Sequence, residues 1–237
     1  MGRLEQEENK MAVWDGRKKA FTMSYDDGIE SDRKLVDIIN YYKIKCTFNL
    51  NSGLIGDGGS WKDKDFEVRR LPLEGLKELY AGHEIAVHGT NHLAPPELSD
   101  EELKEELLTD KQRLGELFGE VPVGMAYAYG AYDDRTVEYL ASIGIKYART
   151  VCDAGSFDMQ TDLLRFKPTC HHQNEKVFEL IDDFVNLSCD KPQIFYLWGH
   201  SYEFDGNDNW DRLEKICESI AGHDDIFFGT NREVLLR

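Results

Sequence analysis

Short β-rich runs alternate with amphipathic, helix-like segments along the chain from about Lys18 onward. This alternation is typical of βα units wound around a parallel sheet or barrel. Seven strands are predicted, which is fewer than a closed (β/α) barrel contains. The expected architecture is therefore an α/β fold, a distorted and incomplete (β/α) barrel of about seven parallel strands. The predicted strands are Ala20–Tyr25, Ile44–Leu50, Glu84–His88, Val123–Tyr127, Ile145–Thr150, Gln193–Trp198 and Asp225–Phe228.

The predicted helices follow every strand except the last. The clearest is Ser99–Phe118, in which Ser99 and Glu102 form a capping box and leucines recur on one face. Its remaining face is charged, and we expect that face to be solvated. Because no linker, repeat or low-complexity tract interrupts the pattern, we expect one domain over residues 11–237 after a polar tail over residues 1–10. The other helices are predicted at Ser31–Tyr42, Leu73–Ala81, Arg135–Ile143, Glu175–Leu187 and Asn209–Ala221.

The charge balance limits the partners of the chain. Its 237 residues carry 28 Lys and Arg against 45 Asp and Glu, a formal net charge of −17 that would repel nucleic acid and an anionic membrane. No apolar run approaches the roughly 18 residues of a membrane helix, and residues 1–10 hold no signal-peptide core. We expect a cytoplasmic protein as the sequence stands, or an extracytoplasmic one if a signal peptide was removed. The five cysteines form no CxxC pair, which favours reduced structural thiols.

Two adjacent carboxylates, Asp26 and Asp27, end the first predicted strand and are followed by Gly28. Neighbouring side chains of an extended strand point to opposite faces, so both carboxylates can face one centre only if the strand ends there. Gly28 allows the required turn. A cation would then relieve the repulsion between the two carboxylates. The alternative is an Asp-Asp-Gly turn with both acids in water.

Three histidines follow other predicted strands. His88 and His92 come after the third strand at a spacing of four residues, which places both imidazoles on one side of a helical turn. With one Asp they would form a three-ligand site with an open position for water, the arrangement of catalytic zinc. The alternative is a pair of exposed loop histidines. His200 ends the sixth strand, and its imidazole could transfer a proton near neutral pH.

These residues resemble the metal-dependent polysaccharide deacetylases with the chitooligosaccharide-deacetylase homology domain, carbohydrate esterase family 4. The first motif of that family, Thr-Phe-Asp-Asp-Gly, is similar to the segment that contains Asp26 and Asp27, and it implies Asp26 as general base and Asp27 as metal ligand. The second motif, His-(Ser/Thr)-x-x-His, is similar to the segment from His88 to His92 with Gly89 in place of the hydroxyl residue. It implies both histidines as ligands. The implied cofactor is one divalent ion, zinc first, with cobalt, nickel or manganese as alternatives.

The third motif of the family, Arg-x-Pro-(Tyr/Phe)-Gly, resembles Ala126–Gly130, which keeps the aromatic residue and the glycine but lacks the arginine and the proline. The resemblance implies the backbone N–H of Tyr129 as oxyanion donor. The arginine of the family contacts the general base. Unless Arg149 or Arg165 substitutes for it, we expect Asp26 to stay protonated to a higher pH than it would beside a cation.

The last two motifs complete the resemblance. The fourth, an Asp and a Trp after the fifth strand, has no clear match, and Asp153 and Asp158 are candidates. The fifth, a leucine-containing strand that ends in His, is similar to Tyr196–His200 and implies His200 as general acid. The family thus implies hydrolysis of an N-acetyl group on a sugar or glycan, with release of acetate and a free amine.

Other residues near the predicted strand ends are candidates for substrate contact. Aromatic faces pack well on sugar rings, so Tyr127, Trp198 and Tyr202 are expected to contact substrate. The pair His171 and His172 lacks the spacing of a closed tetrahedral metal site, which favours loop histidines near the substrate.

Three other functions stay open from the sequence. The first, nucleophilic catalysis by Cys170 with a neighbouring histidine, would leave the set of Asp26, Asp27, His88 and His92 unexplained. The second is hydrolysis of a small non-sugar amide on the same scaffold, and the third is a barrel that binds carbohydrate without turning it over. The long connections Asn51–Glu67 and Val151–His172 are where a barrel carries its chemistry, although the glycine-rich part of the first is expected to be flexible.

Overall fold

The computed structural model describes residues 13–56, 59–63 and 65–237, so the predicted polar tail lies outside the described residues. Within these ranges the main sheet has eight strands, all paired in parallel, in the order β7-β6-β5-β2-β1-β9-β8 with β10 also paired to β1. The predicted incomplete barrel of parallel strands is confirmed. The strands are β1 Lys19–Asp26, β2 Cys46–Leu50, β5 Glu84–Val87, β6 Gly124–Ala126, β7 Tyr147–Arg149, β8 Cys170–His171, β9 Gln193–Gly199 and β10 Ile226–Phe228.

Strand β1 lies at the centre of the sheet. On one side, β9 pairs with it along Lys19–Tyr25. On the other side, β10 pairs with Lys19–Phe21 and β2 pairs with Met23–Asp26. Every residue of β1 is buried, as expected for a parallel strand with both faces covered. The carboxyl end of β1 therefore lies between the ends of β2 and β9, and it carries Asp26 to the middle of that edge.

Helices cover the sheet and are mostly those predicted. One expectation is wrong: the last strand is followed by a helix, Asn231–Leu235, which begins with a capping box formed by Thr230 and Glu233. Five residues are too few for a helical periodicity to be visible in the sequence. No helix within the described ranges is long and apolar enough to cross a membrane. The helices are α1 Asp32–Tyr41, α2 Leu76–Leu79, α3 Asp100–Lys104, α4 Asp110–Phe118, α5 Asp134–Ser142, α6 Val177–Val185, α7 Tyr202–Gly206, α8 Trp210–Ile220 and α9 Asn231–Leu235.

The helix predicted at Ser99–Phe118 has a wider turn in its middle. Its capping box is confirmed, but a π-helical segment, Glu105–Thr109, separates α3 from α4. The expectation that its charged face is solvated is wrong for Glu106 and Asp110, both of which are buried. A π turn changes the angular position of the residues that follow it, which a 3.6-residue period does not foresee.

The connection Asn51–Glu67 is more ordered than predicted. It contains part of an antiparallel hairpin, in which β3 (Trp61–Asp63) pairs with β4 (Phe66–Val68). Asn51 is buried and its side-chain amide donates to the backbone carbonyls of His88 and Gly89, at 2.8 Å each. The start of this connection is therefore fixed against the segment that carries the two predicted histidine ligands. Residues 57–58 of the glycine-rich part lie outside the described residues.

Candidate active site

A pocket of about 590 Å³ opens at the carboxyl ends of β1, β5, β6 and β9. This is the edge of a (β/α) barrel where active sites are built. Every side chain predicted as catalytic or metal-ligating lines it, and of the five predicted substrate contacts Tyr127, Trp198 and Tyr202 do so. The lining residues are Asp26, Asp27, Leu54, Trp61, Arg70, His88, Asn91, His92, Tyr127, Tyr129, Val151, Trp198, His200 and Tyr202.

The two adjacent carboxylates reach the pocket through a left-handed turn. Strand β1 ends at Asp26, and the backbone then has φ of 86° at Asp27 and 65° at Gly28. The N–H of Asp27 donates to the carbonyl of Asn49 at 3.0 Å, which continues the pairing with β2 past the strand end. Gly28 is needed for space as well, since a Cβ there would lie 2.9 Å from Cδ2 of Leu50. The turn predicted from the Asp-Asp-Gly sequence is confirmed.

His88 and His92 are brought together by a loop and not by the predicted helical turn. Strand β5 ends at Val87, and the loop that follows has φ of 88° at Gly89 and 59° at His92. These two left-handed residues reverse the chain so that the imidazole rings meet edge to face, with their centroids 4.7 Å apart. The expected proximity is right, but its structural cause differs.

Asp27, His88 and His92 fit a divalent ion. Each offers one ligand atom, and these atoms lie within 4.8 Å of one another. Nδ1 of His88 donates to the carbonyl of Ala126 at 2.8 Å, which leaves the Nε2 lone pair free. This Nε2 is buried, has no hydrogen-bond partner among the described residues, and lies 4.0 Å from Oδ1 of Asp27. A lone pair buried opposite a carboxylate is unfavourable unless a cation lies between them.

The protonation of His92 also suits an ion ligand. Its Nε2 lies 3.8 Å from Oδ1 of Asp27. Burial lowers the pKa of His92 to about 4, against the opposing effect of Asp27. His92 is therefore neutral near pH 7, which is the form that binds metals. Three protein ligands of this kind leave a coordination position open, as in catalytic zinc sites.

Arg149 supplies the cation that the third motif lacks. Its Nη2 donates to Oδ1 of Asp26 at 2.5 Å and also contacts Oδ2. Arg149 lies on β7 directly opposite Ala126 on β6, and its guanidinium lies 4.4 Å from the ring centroid of Trp198. Burial raises the pKa of Asp26, but the guanidinium of Arg149 outweighs it and holds that pKa well below its usual range. The absence of an arginine at position 126 therefore does not leave Asp26 without a cationic partner.

The other candidate arginine lies elsewhere. Arg165 is near the surface and pairs with Asp134 at 2.5 Å and with Asp162 at 2.9 Å. It makes no contact of these kinds with Asp26 within the described part of the chain. Of the two arginines left open by the sequence, Arg149 is the one that contacts the predicted base.

His200 lies beside Asp26 and is paired with a residue that the sequence interpretation missed. Its Nε2 is 3.7 Å from Oδ2 of Asp26, and its Nδ1 is 3.4 Å from Oε1 of Glu203. Burial lowers the pKa of His200, but Glu203, Asp26 and Asp27 together raise it to about 9. The imidazole is therefore protonated at neutral pH and can donate from Nε2. The spacing of three residues between His200 and Glu203 is the only sequence signal for this pair.

Glu203 also contacts His171 and His172, at 3.1 Å and 3.0 Å from their Nε2 atoms. The three side chains resemble a second ion site in composition. However, Nδ1 of His171 accepts a hydrogen bond from the N–H of Gln173 at 3.1 Å, so neutral His171 carries its proton on Nε2. A protonated Nε2 faces Glu203 and has no lone pair for an ion. The cluster therefore consists of three imidazoles within 3.0–3.4 Å of one carboxylate.

The predicted substrate contacts of His171 and His172 are not supported by their positions. His172 is fully buried, its Nδ1 lies 3.1 Å from the hydroxyl of Tyr25, and its ring stacks on Phe204. Burial lowers the pKa of His172 to about 4. It has no exposed surface and lies outside the pocket lining. His171 packs edge-on against Trp198 and lies outside the pocket lining.

The aromatic residues at the pocket differ in what they expose. Tyr129 lies in a 3₁₀ turn after β6 with φ of 56°, and its side chain is 71% exposed and packs edge-on against His92. Tyr202 is partly exposed and meets Trp61 of the hairpin edge-on. Tyr127 and Trp198 line the pocket but are buried. Tyr129, Tyr202 and Trp61 therefore offer most of the aromatic surface.

A second arginine, Arg70, also escaped the sequence interpretation. It is buried, and its Nη1 lies 3.1 Å from Oδ1 of Asp27 and 3.0 Å from Oδ1 of Asn51. Its guanidinium lies 4.8 Å from the ring centroid of Trp61. Arg70 follows the hairpin in an irregular segment, where no local pattern indicates a role. The burial of Asp27 raises its pKa, but His200 and Arg70 keep it below its usual value.

Asp153 and Asp158, the two candidates for the fourth motif, have different surroundings in the structure. Asp153 accepts a hydrogen bond from Nε1 of Trp198 at 2.9 Å, next to the pocket. Asp158 is exposed and pairs with Lys191 at 2.9 Å. Only Asp153 therefore combines an aspartate with a tryptophan near the site.

Cys170 does not fit the role of a nucleophile. It is buried on β8, and burial raises the pKa of its thiol to about 12. A nucleophilic cysteine needs a lowered pKa and access to substrate. Cys170 meets neither condition.

Comparison with known families identifies the chain. Residues 15–148, more than half of the sequence, match the family model described as Polysaccharide deacetylase. The chain belongs to the polysaccharide deacetylase family. The matched span contains Asp26, Asp27, His88 and His92, which are the base and the ion ligands expected from the first two motifs.

Similar proteins include a peptidoglycan-N-acetylglucosamine deacetylase of Bacillus cereus, which is 30% identical over 114 residues, 46% of this chain and 47% of that protein. The chain thus aligns with about half the length of this curated relative. Two solved structures share the fold over most of both chains. A family 4 carbohydrate esterase from Streptomyces lividans in complex with acetate has a TM-score of 0.60 at 14% identity, covering 90% and 93% of the two chains. A protein of Mycobacterium smegmatis described as a polysaccharide deacetylase has a TM-score of 0.67 at 16% identity, covering 94% and 91%.

Proposed function

We propose that this member of the family hydrolyses the N-acetyl amide of a sugar or glycan with the help of one divalent metal ion, and releases acetate and a free amine. One observation carries the proposal. The carboxylate of Asp26 and the imidazole of His200 lie 3.7 Å apart, next to three side chains that fit an ion. A base and an acid at one centre are what hydrolysis of an amide requires. The similar proteins named for N-acetylglucosamine deacetylation or solved in complex with acetate support the proposed hydrolysis of an N-acetyl amide.

Asp27, His88 and His92 would hold the ion, which supplies polarisation of the amide carbonyl and lowers the pKa of a water molecule. Asp26 takes one proton from the attacking water, because Arg149 keeps its carboxylate ionised. The water oxygen forms the new bond to the carbonyl carbon. The carbon–nitrogen bond then breaks as His200 donates its Nε2 proton to the departing amine.

Tyr129 and the aromatic side chains around it position the substrate. The backbone N–H of Tyr129 is the proposed donor to the oxygen that gains negative charge. The exposed faces of Tyr129, Tyr202 and Trp61 suit sugar rings. The pocket volume of about 590 Å³ lies within the range of small-ligand sites, which suits one or a few sugar units at the site. We therefore propose an oligosaccharide that contains N-acetylglucosamine as the first substrate to test.

The experiment is a screen of acetate release. The purified protein is stripped with a chelator and reloaded with zinc, cobalt, nickel or manganese, and acetate is measured with N-acetylglucosamine oligomers. Elemental analysis is expected to find about one ion per chain. The matched control is the double variant His88→Ala, His92→Ala, which is expected to lose both the ion and the activity.

Two results would contradict the proposal. Release of acetate only from small non-sugar amides would assign the same site to a different substrate class. Binding of the ion and of the oligomers without any acetate would indicate a carbohydrate-binding barrel.

A further inference from the structure

The loop that carries His88 and His92 lies against the π-helical segment Glu105–Thr109. Glu106 in this segment is only 2% exposed, and its carboxylate points into the loop. Oε1 of Glu106 accepts from the N–H of Leu93 at 2.8 Å and from that of Asn91 at 3.1 Å, and Oε2 also accepts from Asn91 at 3.1 Å. One side chain therefore fixes the backbone on both sides of His92.

The rest of the loop is held by the same helical face. Asp110, the next residue on this face, accepts from the N–H groups of His88 at 3.1 Å and Gly89 at 3.0 Å. The N–H of Thr90 donates to the carbonyl of Glu106 at 2.9 Å. Every loop N–H from His88 to Asn91 thus reaches this helix. Residues four apart on a helix share one side, so Glu106 and Asp110 act on the loop together.

Gly89 leaves the space that Glu106 uses. A Cβ at position 89 would lie 2.3 Å from Oε1 of Glu106, closer than two such atoms can approach. The φ of 88° at this residue also disfavours any side chain. The family motif has serine or threonine at this place, whereas this chain combines a glycine with a buried carboxylate. Gly89 and Glu106 therefore form a matched pair.

We propose that Glu106 is a positioning residue of the ion site. Its carboxylate, which occupies the space left by Gly89, holds the loop so that His88 and His92 face Asp27. The inference rests on the proposed function, because it assumes that these three side chains bind a divalent ion. Hydrogen-bond partners that orient the ligands of a metal typically change its affinity by about 10- to 100-fold when they are removed.

The first test compares Glu106→Ala, Glu106→Gln and Glu105→Ala. The Kd for zinc is measured by competition with a chromophoric chelator, and folding of the ion-free protein is followed by circular dichroism. Glu106→Ala is expected to weaken zinc binding about 10- to 100-fold. Glu106→Gln keeps an acceptor oxygen and is expected to stay within about threefold of the parent protein. Glu105→Ala is the matched control, because that side chain is exposed in the same segment, and it is expected to leave the Kd unchanged.

An unchanged Kd in folded Glu106→Ala would overturn the inference, as would an equal loss in Glu105→Ala. If Glu106→Ala does not fold without the ion, Gly89→Ala decides. Gly89→Ala is expected to weaken zinc binding because its methyl group displaces the carboxylate from the loop. If the Kd of Gly89→Ala equals that of the parent protein, the proposed dependence of zinc binding on the fit between Gly89 and Glu106 is refuted.

A double-variant cycle adds a direct measure of the contact. The loss caused by Gly89→Ala is expected to be smaller when Glu106 is already alanine, because the colliding oxygen is gone. Additive losses would contradict the contact. The zinc-binding measurements use no substrate, whereas the acetate assay does. The two assays together can therefore distinguish failure of this inference from failure of the proposed function. Normal acetate release with an unchanged Kd in Glu106→Ala would refute only this inference, and a Glu106-dependent Kd without acetate release would refute only the proposed deacetylation.

Discussion

The pairing of His200 with Glu203 leads to a quantitative prediction about pH. Glu203→Gln keeps the size of the side chain and removes its charge. A proton donor works only while it is protonated, so the activity is lost as the pH rises through the pKa of His200. Since Glu203 contributes to raising this pKa to about 9, the substitution should move the alkaline limb of kcat/KM to lower pH.

The size of the shift follows from the geometry. For charges 3.4 Å apart, Coulomb's law with an effective dielectric constant of about 20 gives about 5 kcal/mol, and one pKa unit corresponds to about 1.4 kcal/mol. This is an upper limit, because Glu203 is shared with His171 and His172 and the side chain of His200 is 22% exposed. We expect a shift of about 1–3 pH units.

The assay is the pH dependence of kcat/KM for acetate release, with the titration of His200 followed by NMR in the ion-free protein. Glu218→Gln, an exposed glutamate on α8, serves as the control and is expected to leave the limb unchanged. An alkaline limb that is identical in Glu203→Gln and the parent protein, with a normal ion content, would refute the assignment of His200 as the proton donor.

The same pair affects stability in the ion-free protein. The folded pKa of His200, about 9, is above the ordinary value of about 6.5. The resulting stabilisation, of order 3 kcal/mol, is fully present below pH 6.5 and is lost as the pH rises through about 9. The free energy of unfolding of Glu203→Gln should therefore change less over this pH window than that of the parent protein, which urea denaturation measures.

Three further predictions concern the same site. Arg149→Met leaves a buried carboxylate without its cation and should lower the free energy of unfolding by about 3–5 kcal/mol, whereas Arg165→Met, near the surface, should cost less than about 1 kcal/mol in urea denaturation. Asp26→Asn should keep the ion and lose turnover while Asp27→Asn loses the ion, and the reverse pattern by elemental analysis would exchange their roles. His200→Ala should reduce kcat/KM most for a poor leaving amine and least for an activated aryl amide; equal losses would assign His200 to binding.

The sequence predicts the main sheet well because its central strands are long apolar runs that end at polar residues and glycines. It misses the shorter elements for a physical reason. Strand β8 has only two residues, Cys170–His171, and each strand of the β3–β4 hairpin has three. Segments of two or three residues are too short to show an alternation of apolar and polar residues, so they carry no periodicity of their own.

In the candidate site, too, some residues are predictable from the sequence and others are not. Residues at strand ends, such as Asp26, His88 and His200, are predictable because parallel strands bring their carboxyl ends to one edge. Glu106 is not, since a charged residue on a predicted helix is expected to face water until the π turn and its burial are seen. Glu203 likewise acquires its role only through α7, which brings it under three imidazoles.

The position of Arg149 has a consequence for how inactive relatives are recognised. Ala126 and Arg149 are neighbours across β6 and β7, so a side chain rooted on either strand can serve the same carboxylate. What Asp26 requires is a guanidinium within contact distance of its carboxylate. The position of the arginine in the linear motif does not matter. A filter that discards chains because one motif letter is absent would classify this protein as a pseudoenzyme. A filter that asks whether any cation reaches the base would keep it among the candidates for assay.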